Sequence, residues 1–258
     1  MIVAAADAQA DCRLAGAVER AGSQFLGQDA GLLAGIGEAG VRLTDNLAAA
    51  LRDGDVLVDF TAAEALPGHL DRCVAAGRAM VVGTTGLDAA GKAAIAAAAT
   101  RIPVVHSANM SVGVNALAGL LQTAARALGA EYDVEIIEAH HNKKRDSPSG
   151  TALLLRDAVA RGRGLDPEKA SVYGRHGMVG PRPEGEIGIH AVRGGDIVGD
   201  HTVLFAGPGE RLEFVHRAHS RENFAKGAVL AAVWVLGRSP GLYSMQDVLG
   251  LRPSGEAG

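Results

Sequence analysis

Hydrophobic positions change their pattern near Ser111, and the change divides the chain into two parts. Ahead of Ser111, short apolar runs alternate with longer Ala- and Leu-rich stretches. Residues 12–18 (CRLAGAV), 56–60 (VLVDF), 79–83 (AMVVG) and 102–106 (IPVVH) read as buried strands. Residues 63–76 and 88–99 suit helices. Strands alternating with helices pair in parallel, which predicts an α/β sheet. Residues 1–9 read as a helix, because only five residues separate Ala6 from Cys12. A parallel crossover needs at least about 10–12.

After Ser111 a long apolar helix runs to about Leu128, and VEIIE at 134–138 is a strand. A helix over 151–161 follows, then a polar stretch at 163–186, rich in Gly, Pro and Arg, that reads as a long loop. Strands at 187–192, 197–205 and 211–216 are separated by RGGD and AGPGE, both hairpin signals, so antiparallel pairing is expected. A last helix over 223–236 is expected to pack back on the first part. The organisation predicted is an α/β domain at 1–111 and 221–258, with an α+β domain carrying a mixed, largely antiparallel sheet at 112–220.

Composition narrows the picture. The chain has 258 residues, of which 48% are hydrophobic and 3% aromatic, so the core is built from Ala, Val, Leu and Ile. A net charge of -4 argues against a nucleic-acid partner. Cys12 and Cys73 are too few for a disulfide framework or a metal site. No apolar stretch is long enough to span a membrane, and the first residues lack the pattern of a signal peptide. These features predict a cytoplasmic protein. His106, His176, His190, His201, His216 and His219 lack metal-ligand spacing and read as surface or core histidines.

The densest chemistry lies in EAHHNKKRDSPSGTA at 138–152. A run of basic residues is usually a solvated face, but here His140 and Lys144 stand four apart and lead into PSGT at a helix start. A protonated Lys144 can donate to a developing carbanion or enamine carbon. His140 can orient substrate, share the proton or stabilise charge. The backbone N–H groups at Gly150 and Thr151 suit a carboxylate. Ser149 or Ser147 suits the cap of that helix, with Pro148 in its first turn. Arg221 is a second carboxylate candidate, through a bidentate clamp. A small dianion is the class of molecule this set would take.

In open α/β sheets ligands bind beyond the C-terminal strand ends. Three such ends carry suitable groups. Glu19, which can take a ribose hydroxyl pair, is followed by Arg20, which can meet a 2′-phosphate. Gly83, Thr84 and Thr85 end a second strand, and Ser107, Ala108, Asn109 and Met110 end a third. Together they predict a Rossmann-like dinucleotide site. One part lacks a counterpart, because no glycine precedes Gly16 to cradle a pyrophosphate.

The signature EAHHNKKRDSPSGTA resembles that of the dihydrodipicolinate reductase family of lysine and diaminopimelate synthesis. The resemblance extends from about Cys12 through GAVER, VDFTAAE, VVGTTG, ANMSVGVN, VRGGDIVGDHTVLF and SRENFAKGA. It implies that His140 and the proton donor Lys144 are catalytic, with Lys143 only a neighbour. It implies substrate binding by His141, Gly150 and Thr151. Glu19 and Arg20 then fall on the adenosine ribose, and Gly83–Thr85 with Ser107–Met110 on the nicotinamide side. It also implies NADH or NADPH as hydride donor, reduction of 4-hydroxy-tetrahydrodipicolinate with loss of water, and a homotetramer assembled through the sheet domain. The family's first strand and GxxGRMG-type loop have no counterpart, which points to a missing N-terminal block of roughly 10–20 residues and an internal methionine taken as the start. The rival expectations are another two-domain oxidoreductase, such as an amino-acid dehydrogenase with a similar nucleotide domain, and a non-catalytic or truncated homologue unable to hold the cofactor pyrophosphate.

Overall fold

A computed structural model describes residues 1–251; the last part of the expected first domain, 252–258, lies outside the described residues. No helix among the described residues is long and apolar enough to cross a membrane. The chain forms two compact units, Met1–Val112 with Glu222–Gly258, and Gly113–Arg221.

The first unit begins with α1 (Ile2–Asp7), β1 (Ala17–Val18), α2 (Ala30–Ala34), β2 (Leu43–Thr44) and α3 (Leu47–Ala50). It continues with β3 (Val56–Asp59), α4 (Leu66–Ala76), β4 (Ala79–Val82), α5 (Ala89–Ala99) and β5 (Pro103–His106). Its parallel strands form two separate sheets. β1 pairs only with β2, and β3 pairs only with β4, so among the described residues no ladder joins β1 to β3. The strand expected over 12–18 is therefore reduced to Ala17–Val18. Its one partner, β2, is two residues long, and backbone without a ladder does not stay extended as a strand.

α6 (Val112–Leu128) leads into the second unit. There follow β6 (Asp133–His140), α7 (Gly150–Arg163), α8 (Pro167–Ala170), β7 (Ser171–Tyr173), β8 (Ile187–Arg193), β9 (Asp200–Gly207) and β10 (Glu210–Arg217). The chain then returns to the first unit through α9 (Glu222–Val235), β11 (Gly241–Tyr243) and α10 (Met245–Val248). β11 joins the larger sheet of the first unit, whose order is β11-β5-β4-β3. Alternating strand residues divide between its faces. Met80, Val82 and Val104 pack with Leu66, Leu70 and Ile95 of α4 and α5. Val81 and Val105 pack with Ala228, Ala231 and Val235 of α9 and Met245 of α10. Each large apolar side chain so buried contributes about 1.5–3 kcal/mol.

The second unit is a five-stranded mixed sheet of order β10-β9-β6-β8-β7. Its inner face carries Val134, Ile136, Ile187, Ile189, Val203 and Phe205, packed against α6 and α7. AGPGE closes the β9–β10 hairpin as expected. RGGD does not close a hairpin, because β6 lies between β8 and β9, parallel to the first and antiparallel to the second. The loop expected at 163–186 contains α8 and β7. The Asp166 side chain accepts the Glu168 and Lys169 N–H groups with Pro167 in the first turn, and β7 extends the sheet in parallel beside β8.

Gly227 on α9 shows how closely the first unit is packed. A Cβ there would lie 1.7 Å from the Met110 carbonyl oxygen, so the approach of α9 to residues 110–112 depends on glycine. Gly227→Ala is expected to lower stability by at least about 1–3 kcal/mol, read as a lower urea midpoint.

Candidate functional site

β6 has one inward face. Val134, Ile136, Glu138 and His140 are all buried, so the two-residue repeat that buries the aliphatic pair carries a carboxylate and an imidazole inward with them. His140 therefore sits on the last position of a strand, and not in the basic loop where the sequence pattern placed it. Glu138 has no solvent exposure. One of its oxygens accepts the Ser149 N–H at 2.9 Å and Arg193 Nη2 at 2.8 Å. The other meets His140 Nδ1 at 2.6 Å and Arg193 Nη1 at 2.7 Å. Burial alone would raise the Glu138 pKa, but the hydrogen bonds from Arg193, His140 and Ser149 outweigh it and hold the carboxyl below its ordinary value. An ionised Glu138 makes His140 Nδ1 the donor nitrogen.

The basic loop is braced by the turn after β8. His141 N–H donates to the Ile197 carbonyl at 2.8 Å, Asn142 N–H to that of Gly195 at 3.2 Å, and Gly194 N–H to that of His140 at 2.9 Å. RGGD thus supports the loop that carries Lys144. Lys144 Nζ lies 2.9 Å from Asp146, whose carboxyl is held low chiefly by that hydrogen bond. A Cβ at Gly199 would stand 3.0 Å from His140 Nε2, so glycine there leaves room around the free side of the ring. His141 Nδ1 is buried and has no hydrogen-bond partner among the described residues.

α7 begins where expected. Ser149 is its cap, accepting the Ala152 N–H at 3.1 Å, while Pro148 lies just before the cap instead of in the first turn. Gly150 and Thr151 occupy the first two helical positions, with Gly150 exposed. Ser149 Oγ is 3.0 Å from Nε2 of buried His201. Burial is the chief cause and, against the opposing charge at Glu138, pushes His201 down to about 3, so that ring is neutral at ordinary pH. Arg221 is exposed ahead of α9 and makes no ion pair among the described residues.

In the first unit the expected cofactor residues divide into exposed and structural groups. Glu19 follows β1; one carboxylate oxygen takes the Arg20 N–H at 2.9 Å, and the other has no partner among the described residues. Thr85 and Ala108 are exposed beyond β4 and β5, which are adjacent and parallel. Thr84, by contrast, is buried and donates its hydroxyl to Asp59 at 2.8 Å. Asn109 and Met110 are buried as well, with Ser111 N–H donating to Asn109 Oδ1 at 2.8 Å. Gly83 lies under the Phe60 ring, which a Cβ would meet at 2.4 Å. Asp59 also accepts the Thr61 N–H at 3.0 Å and its hydroxyl at 2.8 Å, and meets His69 Nδ1 at 2.5 Å.

Glu138, Arg193, Asp146 and His201 had not been singled out as site residues. Glu138 carried a signal, since it stands two before His140 on the same strand face. Arg193 opens RGGD but reaches Glu138 only through a strand pairing that the sequence does not reveal.

Comparison with known proteins agrees along the chain. The description "Dihydrodipicolinate reductase, N-terminus" matches residues 1–110, and "Dihydrodipicolinate reductase, C-terminus" matches 113–249. A 4-hydroxy-tetrahydrodipicolinate reductase of Thiobacillus denitrificans is 57% identical over 241 residues, 93% of this chain and 90% of the relative. One of Anaeromyxobacter dehalogenans is 54% identical over 239 residues, 93% of this chain and 88% of the relative. Among solved structures, a dipicolinate-bound dihydrodipicolinate reductase of Paenisporosarcina sp. TG-14 shares the fold with a TM-score of 0.74 at 23% identity, over 95% of this chain and 92% of that one.

The neutral burial of His201 fixes a pH dependence. Between its ordinary value of 6.5 and about 3, the unfolded chain binds a proton at His201 that the folded chain does not. Its contribution is complete above that window and is lost as pH falls through it, by about 1.4 kcal/mol per pH unit. His201→Gln is expected to flatten this part of the stability curve, measured by urea unfolding at several pH values across the window. A slope equal to that of the parent chain would contradict it.

Proposed function

The chain belongs to the dihydrodipicolinate reductase family and acts as a 4-hydroxy-tetrahydrodipicolinate reductase in lysine and diaminopimelate synthesis, and from that premise we propose which of its residues do the work. The observation that carries the assignment is the bonding of Glu138 to both His140 and Ser149, which ties the imidazole and the start of α7 to one carboxylate. The first-turn amides of α7 at Gly150 and Thr151 bind one substrate carboxylate, where the positive end of a 14-residue helix favours an anion. His141, with its unpartnered ring nitrogen, and Arg221 bind and orient the rest of the dicarboxylate. Lys144 exchanges Asp146 for substrate and gives its proton to the ring carbon beside the reduced one. His140 steadies the charge that develops there. Water leaves the hydroxylated precursor before or during reduction.

The residues at the strand ends fit a nicotinamide dinucleotide. The open oxygen of Glu19 suits a ribose hydroxyl, and exposed Thr85 and Ala108 end neighbouring parallel strands. Gly83, Thr84, Ser107, Asn109 and Met110 shape those two ends. When bound, the nicotinamide supplies the hydride. Glu19 favours an unphosphorylated ribose and Arg20 accommodates a phosphate, so NADH and NADPH are both candidate donors. Two free cysteines support a cytoplasmic setting.

We also infer a homotetramer built through the second unit. The sheet face opposite the helices exposes Ile137 (41%), Val192 (48%) and Val215 (43%), and the loop after β7 carries a fully exposed Met178. A second copy of the same face is the occupant such an apolar surface fits.

Lys144→Ala is expected to lower kcat by about 10²–10⁴-fold while NADH binding, followed by fluorescence titration, stays near that of the parent chain. Near-normal turnover would sink the assignment. Ile137→Glu combined with Val192→Glu is expected to reduce the mass in light scattering from a tetramer to smaller species. A monomeric parent chain would overturn the assembly.

A further inference from the structure

We propose that Glu138, charge-balanced by Arg193, is a positioning residue for proton transfer: it sets which nitrogen of His140 carries the proton and where α7 begins. The inference rests on His140 acting in the reaction as described above.

An ionised carboxylate offers about four lone-pair sites. Glu138 fills them with four donor atoms, His140 Nδ1, Ser149 N and the two terminal nitrogens of Arg193, all at 2.6–2.9 Å. With no solvent exposure and no open lone pair, Glu138 is not placed to exchange protons with substrate. Its effect is transmitted through its donors. His140 is held as the Nδ1–H tautomer, leaving Nε2 as the nitrogen that can act, on the side where Gly199 leaves room. The Ser149 N–H is held at the same carboxylate, so the residue that caps α7 is anchored to the strand bearing His140. Arg193 closes the arrangement. It sits opposite His140 in the β6–β8 register, supplies the compensating charge, and donates to the Asp146 carbonyl at 2.7 Å, which fixes the loop just beyond Lys144. One ion pair therefore spaces the imidazole, the lysine loop and the helix start.

Glu138→Gln separates this role from a merely structural one. The new amide presents one donating end. Placed toward Ser149 it would face a backbone N–H, which cannot become an acceptor. Either placement turns the amide donor toward one Arg193 nitrogen, so the second neighbour decides: placed toward His140 it faces a ring that can switch tautomer, so the amide donates to Nδ1 and the proton moves to Nε2. Loss of packing alone has no reason to reverse a tautomer.

The test is ring-nitrogen NMR of His140 together with steady-state kinetics on the full chain. Expected are Nδ1–H in the parent protein and Nε2–H in Glu138→Gln. The variant should show kcat down by about 10–100-fold with the KM for NADH unchanged. Glu138→Asp, which keeps the charge, should retain the Nδ1–H form and recover part of kcat. An Nε2-protonated His140 in the parent protein would overturn the proposal without any variant having to fold. So would parent-like kcat in Glu138→Gln. His140→Gln separates the two readings: if that variant turns over normally, the role given to His140 fails. If it is inactive while Glu138→Gln is fully active, only the positioning role fails.

Discussion

Glu138 brings a full negative charge to a place without solvent, and much of the second unit's geometry follows from satisfying it. A carboxylate buried without partners would cost several kcal/mol or take up a proton. Here the partners come from three parts of the chain: His140 on the same strand, Arg193 at the end of β8, and Ser149 beyond the basic loop. None is interchangeable with a neighbour. Arg193 reaches the carboxylate with a two-pronged donor because β8 is parallel to β6 and in register with it. Ser149 N–H reaches it because the loop between His140 and α7 turns back on its own strand. The hydrophobic core below supports this polar layer. Val134 and Ile136 precede Glu138 along the same face, and Ala152, Leu155, Ala158 and Val159 follow Ser149 into the same core.

The first unit uses a buried carboxylate at a strand end in a comparable way. Burial alone would raise the Asp59 pKa, but hydrogen bonds from Thr61, His69 and Thr84 outweigh it and hold the group ionised. The result is a fixed turn after β4. Thr84 is committed to Asp59 and Gly83 lies beneath Phe60, so Thr85 and Gly86 are the residues of that turn left exposed. Residues 107–111 do likewise after β5, with Ser107 and Asn109 bonding within the segment and Met110 locked under Gly227. Motifs that look like lists of ligand-binding residues are, in this unit, largely residues that hold a few exposed positions in place.

How much of this was legible in the sequence depended on the range of the interaction involved. Short apolar runs and longer Ala- and Leu-rich stretches located β3, β4, β5, α5 and α6 to within a residue or so, because such runs are local features of the sequence. The cap at Ser149 was legible for the same reason. What failed was pairing across the chain. RGGD looked like a hairpin turn, yet β6 occupies the place between β8 and β9. The strand over 12–18 shrank because strand length is set by partners, and among the described residues β1 has only β2. The role of Glu138 was hidden in the same manner. Its position beside the signature was visible, but the arginine that makes it an anchor arrives from 55 residues away. The small elements in 163–186 were missed for a different reason, since a Gly- and Pro-rich composition obscured the cap at Asp166.

The two ion pairs flanking the signature divide its labour by burial. Glu138 and Arg193 meet where the carboxylate has no solvent contact, so separating them would strand a buried charge, and breaking such a pair costs about 3–5 kcal/mol. Lys144 and Asp146 meet with the carboxylate 60% exposed, where an ion pair is worth about 0–1 kcal/mol. The first pair is built to persist, and it holds His140 and the start of α7. The second is cheap to exchange, and in the proposed mechanism it holds the lysine whose ammonium leaves its partner to reach substrate. The proposed binding and protonation of a dianion would need both behaviours within a few residues. Placing the imidazole on a strand and the lysine on the loop beside it supplies them.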